Sequence, residues 1–346
     1  QSAVRCQLAA VGSRVEGPIP PRPAVPNYRP EPMSSVGLVL GGGGITGAAY
    51  EFAALMAIQM ATGWNPDDAD IIIGTSAGAT VAAVTRANRL SIETLTGGDH
   101  SRSEYVKHIS QFLLRRTRPT GFGRWVRHGL LPGLRKPGLE MALGGPAPFD
   151  PGGIADYTEH LAGPIAREWP EKTTLITAFD LLDRRLVIFG CDDAPKTSLQ
   201  QAVAASSAVP MVYQPVEING RPYVDGGVAS GTSAHLVFEH AKNPLDFILI
   251  VAPMASEEER TNARFYEGVF DRHGSESLSR ELEIIEATWP NTDVVVLRPD
   301  DAVLAAARPN PMSIEQTIPT FLRTLAFLRR ELAESHVWDL LEEHLR

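Results

Sequence analysis

At 346 residues, 43% hydrophobic and 21% charged, the chain is long enough to bury a full core and has the composition of a globular domain. Its net charge of -9 argues against a nucleic-acid partner, which would need a basic footprint. Two cysteines, Cys6 and Cys191, are too few for a disulfide framework, and no apolar run reaches the ~18 residues of a membrane span, so a cytoplasmic protein with at most peripheral membrane contact is expected.

Residues 1–32 carry Pro18, Pro20, Pro21, Pro23, Pro26, Pro30 and Pro32 with no useful apolar period, and read as a poorly ordered extension. Met33 is a candidate native start. The N-terminus has no basic start followed by an apolar stretch and a cleavage site. The excess of Arg over Lys, with plentiful Ala, Gly and Pro, points to a GC-rich bacterial genome.

Val36 to Leu40 reads as a buried strand running into Gly41, Gly42, Gly43, Gly44, Ile45, Thr46 and Gly47, with helical character from Ala48 to Ala61. A strand, a glycine loop and a helix form an anion site, because unhindered amides and a helix N-terminus converge there. Gly42, Gly44 and Gly47 satisfy the dinucleotide fingerprint, but that reading needs an acidic residue ending the second strand. Here Asp67, Asp68 and Asp70 precede that strand, so an oxyanion hole is the better reading.

Ile71 to Thr80, I-I-I-G-T-S-A-G-A-T, has the form of a nucleophile elbow. A branched strand ends at Gly74, an Ala-rich helix follows, and Ser76 falls on the turn, with Gly74 and Gly78 relieving the crowding. The competing role for Ser76 is a helix N-cap, which does not explain glycines on both sides.

From Gly97 to Gly153 the texture changes: arginines such as Arg115, Arg116 and Arg124 interleave with Phe112, Leu113, Leu114 and Trp125. This is either a lid or a surface for anionic lipid, with residues 112–136 in contact, or an insertion with a solvated basic face packed on the core. Beyond it, Thr174 to Phe179 and Arg185 to Phe189 read as a strand pair, Ser198 to Ala205 as a helix, and Asn219 and Gly220 as a tight hairpin turn. Asp225 follows a short strand and precedes Gly226 and Gly227, which suits a sharp turn; its bland role is a turn residue bonding its own backbone. Phe247 to Val251 and Val294 to Leu297 supply further strands, and Ser313 to Arg346 reads as amphipathic helix over a sheet face.

The loop G-G-G-G-I-T-G, the elbow G-T-S-A-G, the block A-S-S-A-V-P (Ala205 to Pro210) and the turn D-G-G together resemble the patatin-like phospholipases, the bacterial ones especially, in order and approximate spacing. The four blocks span over half the chain. The resemblance implies a three-layer α/β/α fold with a mainly parallel central sheet over residues 33–346, and a Ser-Asp dyad without histidine. By position, Ser76 resembles the nucleophile and Asp225 its partner. The amides of Gly43 and Gly44 resemble the oxyanion hole, supported by Gly41, Gly42, Gly47, Gly74, Gly78, Gly226 and Gly227. The expected substrate is a lipid or other acyl ester, with no cofactor.

Two positions depart from the family. Thr46 stands where Arg or Lys is usual, which removes a cation beside the loop and weakens the expectation of phospholipid headgroup recognition; an uncharged lipid ester, lysophospholipid or small acyl ester stays compatible. Ser233 stands where Asn is frequent. Ser206 and Ser207 read as turn and helix-end residues.

Two other readings remain open. His235 and His240 would serve a conventional Ser-Asp-His esterase, although that fold places several strands before its elbow. The glycine loop would also serve a non-catalytic lipid- or nucleotide-binding module. No C-x-x-C or H-E-x-x-H spacing implies a metal, and the sequence leaves the oligomeric state unspecified.

Overall fold

Residues branched at Cβ build the middle of the molecule. In the computed structural model, which describes residues 34–98, 101–117, 147–256 and 265–346, an eight-stranded mixed sheet runs through the centre. The first strand, β1 (Val36–Leu40), leads through the glycine loop into α1 (Gly44–Thr62), and β2 (Ile71–Thr75) leads through Ser76 into α2 (Ala77–Arg86). Helix α1 thus starts earlier than its composition suggested, because the last glycine of the run and Ile45 to Gly47 form its first turn.

Then come α3 (Ile92–Thr96), α4 (Arg102–Leu113), α5 (Gly152–Ala162), β3 (Thr173–Asp180), β4 (Arg185–Phe189) and α6 (Leu199–Ser206). A hairpin follows, β5 (Val216–Ile218) and β6 (Arg221–Asp225), turned by Asn219 and Gly220 at φ 51° and 78°. Two positive φ values side by side are what a type I′ turn requires. The chain closes with α7 (Leu236–His240), β7 (Phe247–Val251), α8 (Phe265–Thr288), β8 (Asp293–Leu297), α9 (Asp301–Ala306), α10 (Thr317–Glu331) and α11 (Ser335–Leu345).

The strand order is β5-β6-β3-β2-β1-β7-β8, with β4 paired to β3 off this path. Strands β3, β2, β1, β7 and β8 are mutually parallel, and β4, β5 and β6 enter through antiparallel pairings. Side chains alternate across the sheet with period two. Leu38, Leu40 and Ile72 join Phe52 and Leu55 of α1, Val81 of α2 and Phe321 of α10 in one core. Val39, Ile71 and Ile73 face the opposite way, toward Leu236 of α7 and Leu278 and Ile285 of α8. Two cores on opposite faces of one sheet make the three-layer α/β/α architecture.

One sequence expectation changes in detail. The C-terminal tail is helical, but α10 packs over α1 rather than directly on the sheet. The described start of the 97–153 segment packs on the core: Tyr105, Ile109 and Leu113 of α4 are buried in the first core. Residues 1–32 and 118–146, which hold the proposed extension and most of the basic stretch, lie outside the described residues. No described helix is long and apolar enough to cross a membrane.

Candidate active site

The parallel register of β1 and β2 pairs Leu40 with Gly74, so the glycine loop and the Ser76 turn leave the sheet at one edge, side by side. The turn is tight. Ser76 has φ 55° and ψ -116°, a region that non-glycine residues avoid. Gly78 is where a side chain would be intolerable: a Cβ there would lie 2.1 Å from the Leu40 carbonyl oxygen. The elbow is therefore compressed against β1.

Asp225 arrives from the other side. Strand β3 outruns β2, pairing Thr177 with Thr75 and then, one residue on, Ala178 with Asp225 of the antiparallel β6. Asp225 is thus delivered one strand away from the elbow, and the Ser76 hydroxyl donates to its Oδ2 at 2.6 Å. Its Oδ1 accepts the Gly227 amide at 2.7 Å, and its own amide donates to the Ala208 carbonyl at 3.1 Å. Ser76 and Asp225 are only 7% and 5% exposed. Burial pushes the Asp225 carboxyl up from 3.8 to about 6, against the opposing pull of the Ser76 and Gly227 hydrogen bonds. A carboxylate so poised is a competent proton acceptor near neutral pH.

Of the glycine loop, Gly41 donates its amide to Val251 at 3.0 Å and Gly42 to Gly231 at 2.7 Å. Among the described residues the amides of Gly43 and Gly44 have no such partner, which leaves them as the available donors. Gly44 lines the same cavity as Ser76, whereas Gly43 borders a smaller cleft behind the loop. Gly44 adopts φ 62°, and a Cβ on it would meet the Pro311 carbonyl oxygen at 2.8 Å. That carbonyl also accepts the Thr46 amide at 3.0 Å and its hydroxyl at 3.4 Å. Thr46, where the family resemblance leads one to expect a cation, thus spends its polar groups on docking the Pro311 segment.

The A-S-S-A-V-P block does more than turn the chain. Ser206 Oγ accepts the Ser76 amide at 2.8 Å, Ser207 Oγ donates to the Ser76 carbonyl at 2.9 Å, and the next residue, Ala208, holds the Asp225 amide. Three consecutive residues therefore grip both members of the pair. The two serines are unequal, since the Ser76 carbonyl also accepts the Ala79 amide, whereas among the described residues Ser206 is the only acceptor for the Ser76 amide. Ser206→Ala is expected to lower stability by about 1–3 kcal/mol and Ser207→Ala by under about 1.5 kcal/mol, measured as denaturation midpoints. Equal midpoints for wild type and Ser206→Ala would show that the elbow does not depend on this bond.

A second support comes from far along the chain. Glu281 of α8, 4% exposed, accepts from Ser230 Oγ at 2.5 Å, Thr232 Oγ1 at 2.6 Å and the Ala234 amide at 2.9 Å, and lies 3.3 Å from His235 Nδ1. Burial works to raise its pKa, but these bonds outweigh it and hold the carboxyl below its ordinary value. The loop so fixed contains Gly231, the acceptor for Gly42, so Glu281 steadies the glycine loop at one remove. Neither Ser206 nor Glu281 carries a sequence signal for these contacts. His235 is engaged with Glu281, its pKa raised by that bond, and His240 Nε2 is buried without a partner among the described residues. Neither histidine hydrogen-bonds Ser76 or lines its cavity.

The space in front of Ser76 measures about 760 Å³ when the open solvent at its mouth is counted. Its walls are apolar and include Phe52, Leu95, Tyr105, Ile109, Tyr157 and Leu161. Burial raises the Tyr105 phenol to about 12 and pushes Tyr157 higher still, with Tyr105 adding to that rise. Both phenols stay neutral. Ser76 thus opens on a chamber whose lining side chains carry no charge.

Residues 38–238 match a family model described as patatin-like phospholipase. No curated protein sequence matches the chain. Among solved structures, VipD from Legionella pneumophila is similar at 14% identity and a TM-score of 0.38, covering 90% of this chain and 67% of that one. ExoU in its heterodimeric complex with SpcU, from the type III secretion system of Pseudomonas aeruginosa, is similar at 18% identity and a TM-score of 0.32, covering 89% and 63%. The chain thus spans 67% and 63% of those two proteins' lengths.

Proposed function

The chain belongs to the patatin-like phospholipase family, and from that premise we propose that it is a serine lipid acyl hydrolase working through a Ser76/Asp225 dyad. The observation that carries this reading is the 2.6 Å hydrogen bond to a buried carboxylate from the hydroxyl of Ser76, which lines an apolar chamber. Serine is a weak nucleophile until a base accepts its proton, and Asp225 lies within reach to do so.

In this mechanism the acyl chain of an ester enters the chamber, with its carbonyl carbon at Ser76 Oγ. As Oγ attacks, its proton passes to Asp225 Oδ2, and the carbonyl oxygen becomes an oxyanion held by the Gly43 and Gly44 amides. Each such donor is worth about 2.7–4 kcal/mol in the transition state. Collapse breaks the bond to the alcohol, which leaves with the proton from Asp225. Water, deprotonated by Asp225, then attacks the acyl-serine; the tetrahedral intermediate releases the fatty acid as Asp225 returns the proton to Ser76 Oγ. The elbow's positive φ holds Oγ exposed toward the chamber throughout.

Covalent labelling tests the reading. A fluorophosphonate is expected to add once to the protein, at Ser76, and turnover of p-nitrophenyl esters is expected to rise with acyl length while methylenes continue to be buried, by up to about fourfold in kcat/KM per methylene. No adduct on folded protein, or a flat chain-length profile, would sink the proposal.

A further inference from the structure

We propose that the rim of the Ser76 cavity formed by Met211, Leu114 and Arg116 is a docking surface for the face of an anionic lipid bilayer. Met211 is 74% exposed and sits at φ 67°. Both features are unfavourable in water: the apolar side chain is hydrated, and a left-handed backbone suits Gly, Asn or Asp, whose side chains are absent or bond locally. A residue that breaks two local rules at one point calls for a compensating role.

Its position indicates that role. Val209 and Tyr213, two residues to either side of Met211, both line the cavity that holds Ser76, so Met211 stands at its edge. Leu114, 37% exposed, follows Leu113, which lines the cavity and whose carbonyl accepts the Tyr213 hydroxyl at 2.8 Å. The two segments are laced together through Phe149. Its amide donates to Val212 at 3.2 Å, its carbonyl accepts from Gln214 at 3.1 Å, and it bridges to Arg116. Met211, Leu114 and Arg116 therefore belong to one tied edge.

The charge on that edge selects the occupant. Arg115 is neutralised by Asp150 and Asp156, whereas Arg116 is exposed and forms no ion pair among the described residues. A cation with no ion pair among the described residues, beside exposed apolar side chains, matches anionic headgroups over an acyl layer. This proposal rests on the acyl-hydrolase reading for the use of the chamber, but the surface binds lipid whether or not Ser76 reacts.

The test separates the two. The full chain, Met211→Asn and Arg116→Gln are sedimented with vesicles of phosphatidylcholine mixed with phosphatidylglycerol, and with phosphatidylcholine alone, beside fluorophosphonate labelling in free solution. Asn is at ease at positive φ, so Met211→Asn keeps the turn, and its melting temperature checks that. Partitioning onto the mixed vesicles is expected to fall about tenfold in Met211→Asn and about fivefold in Arg116→Gln, with labelling rates in free solution close to wild type. If Met211→Asn melts early, Leu114→Ser is read in its place. Wild-type protein that ignores both vesicles, variants that bind as well as wild type, or a Met211-dependent dimer in light scattering with no vesicle binding would each overturn the proposal. Absent labelling with intact vesicle binding would instead remove the enzymatic reading and leave this surface standing.

Discussion

Ser76→Ala is expected to lower kcat for acyl esters by about 10⁵- to 10⁶-fold and to abolish fluorophosphonate labelling, in a protein that still folds. The magnitude follows from losing the only atom that forms the proposed acyl intermediate; what survives is substrate binding and the glycine amides acting on water. The same change has a pH-dependent effect on stability. The Ser76 hydroxyl donates to Asp225 Oδ2 at 2.6 Å, and this bond lowers the pKa of Asp225 against its burial. Removing the donor leaves the ionised carboxylate short of a partner, at about 1–3 kcal/mol, whereas the protonated acid loses little. The melting temperature of the variant should therefore drop further below wild type at pH 8 than at pH 5. An equal deficit at both would mean that the hydroxyl is not bound to the carboxylate, and residual labelling would move the nucleophile elsewhere.

Asp225→Asn carries the second large effect, with activity and stability moving in opposite directions. Without a base, kcat is expected to fall by about 10⁴-fold. Stability near neutral pH should rise. The folded carboxyl has a pKa of about 6 against an ordinary value of 3.8, and the two bound a window. Between them the folded state holds a proton that the unfolded state has released, so wild-type stability is full below pH 4 and declines as pH climbs to about 6. At 1.36 kcal/mol per pH unit the decline is about 3 kcal/mol. Asparagine is spared it, keeps an oxygen for the Gly227 amide, and presents a donor to Ser76 Oγ. Above pH 7 the variant should be more stable than wild type by about 1–3 kcal/mol in denaturant unfolding, with the gap closing by pH 4. Wild-type kcat/KM should rise to a plateau with its midpoint near 6, because Asp225 must be ionised to accept the proton. A midpoint below 5, or a variant less stable than wild type at pH 8, would show that the carboxyl is not buried as described.

Together the two substitutions describe a stability–function conflict. The fold buries a carboxylate, bends a serine into positive φ, and offsets both through neighbours. Ser206, Ser207 and Ala208 hold the two residues by their backbones, and Glu281 fixes the loop beyond Asp225. These supports explain why A-S-S-A-V-P sits between the elbow and the D-G-G turn in the sequence: it is a strap rather than a linker.

The sequence by itself determined what depends on neighbours in the chain. Three isoleucines, a glycine on either side of Ser76 and an alanine-rich run specify strand, sharp turn and helix within ten residues, and Asn219-Gly220 specifies a hairpin. Periodicity and turn chemistry act over that range. The unbroken apolar runs of β1 and β2, buried at every residue with side chains alternating between faces, then call for two cores, and hence layers on both faces of a sheet. What only the tertiary structure decided lies at longer separation. Ser76 reaches Asp225 across 149 residues because β3 outruns β2 and pairs Ala178 with Asp225, a register no local pattern encodes. The Ser206 acceptor, the Glu281 anchor and the chamber wall of α4 arise in the same way, from elements brought together by sheet order. His235 was eligible on chain order alone, but the packing of α8 against the loop commits it to Glu281, because a side chain reaches only a few ångströms and the fold decides what stands there.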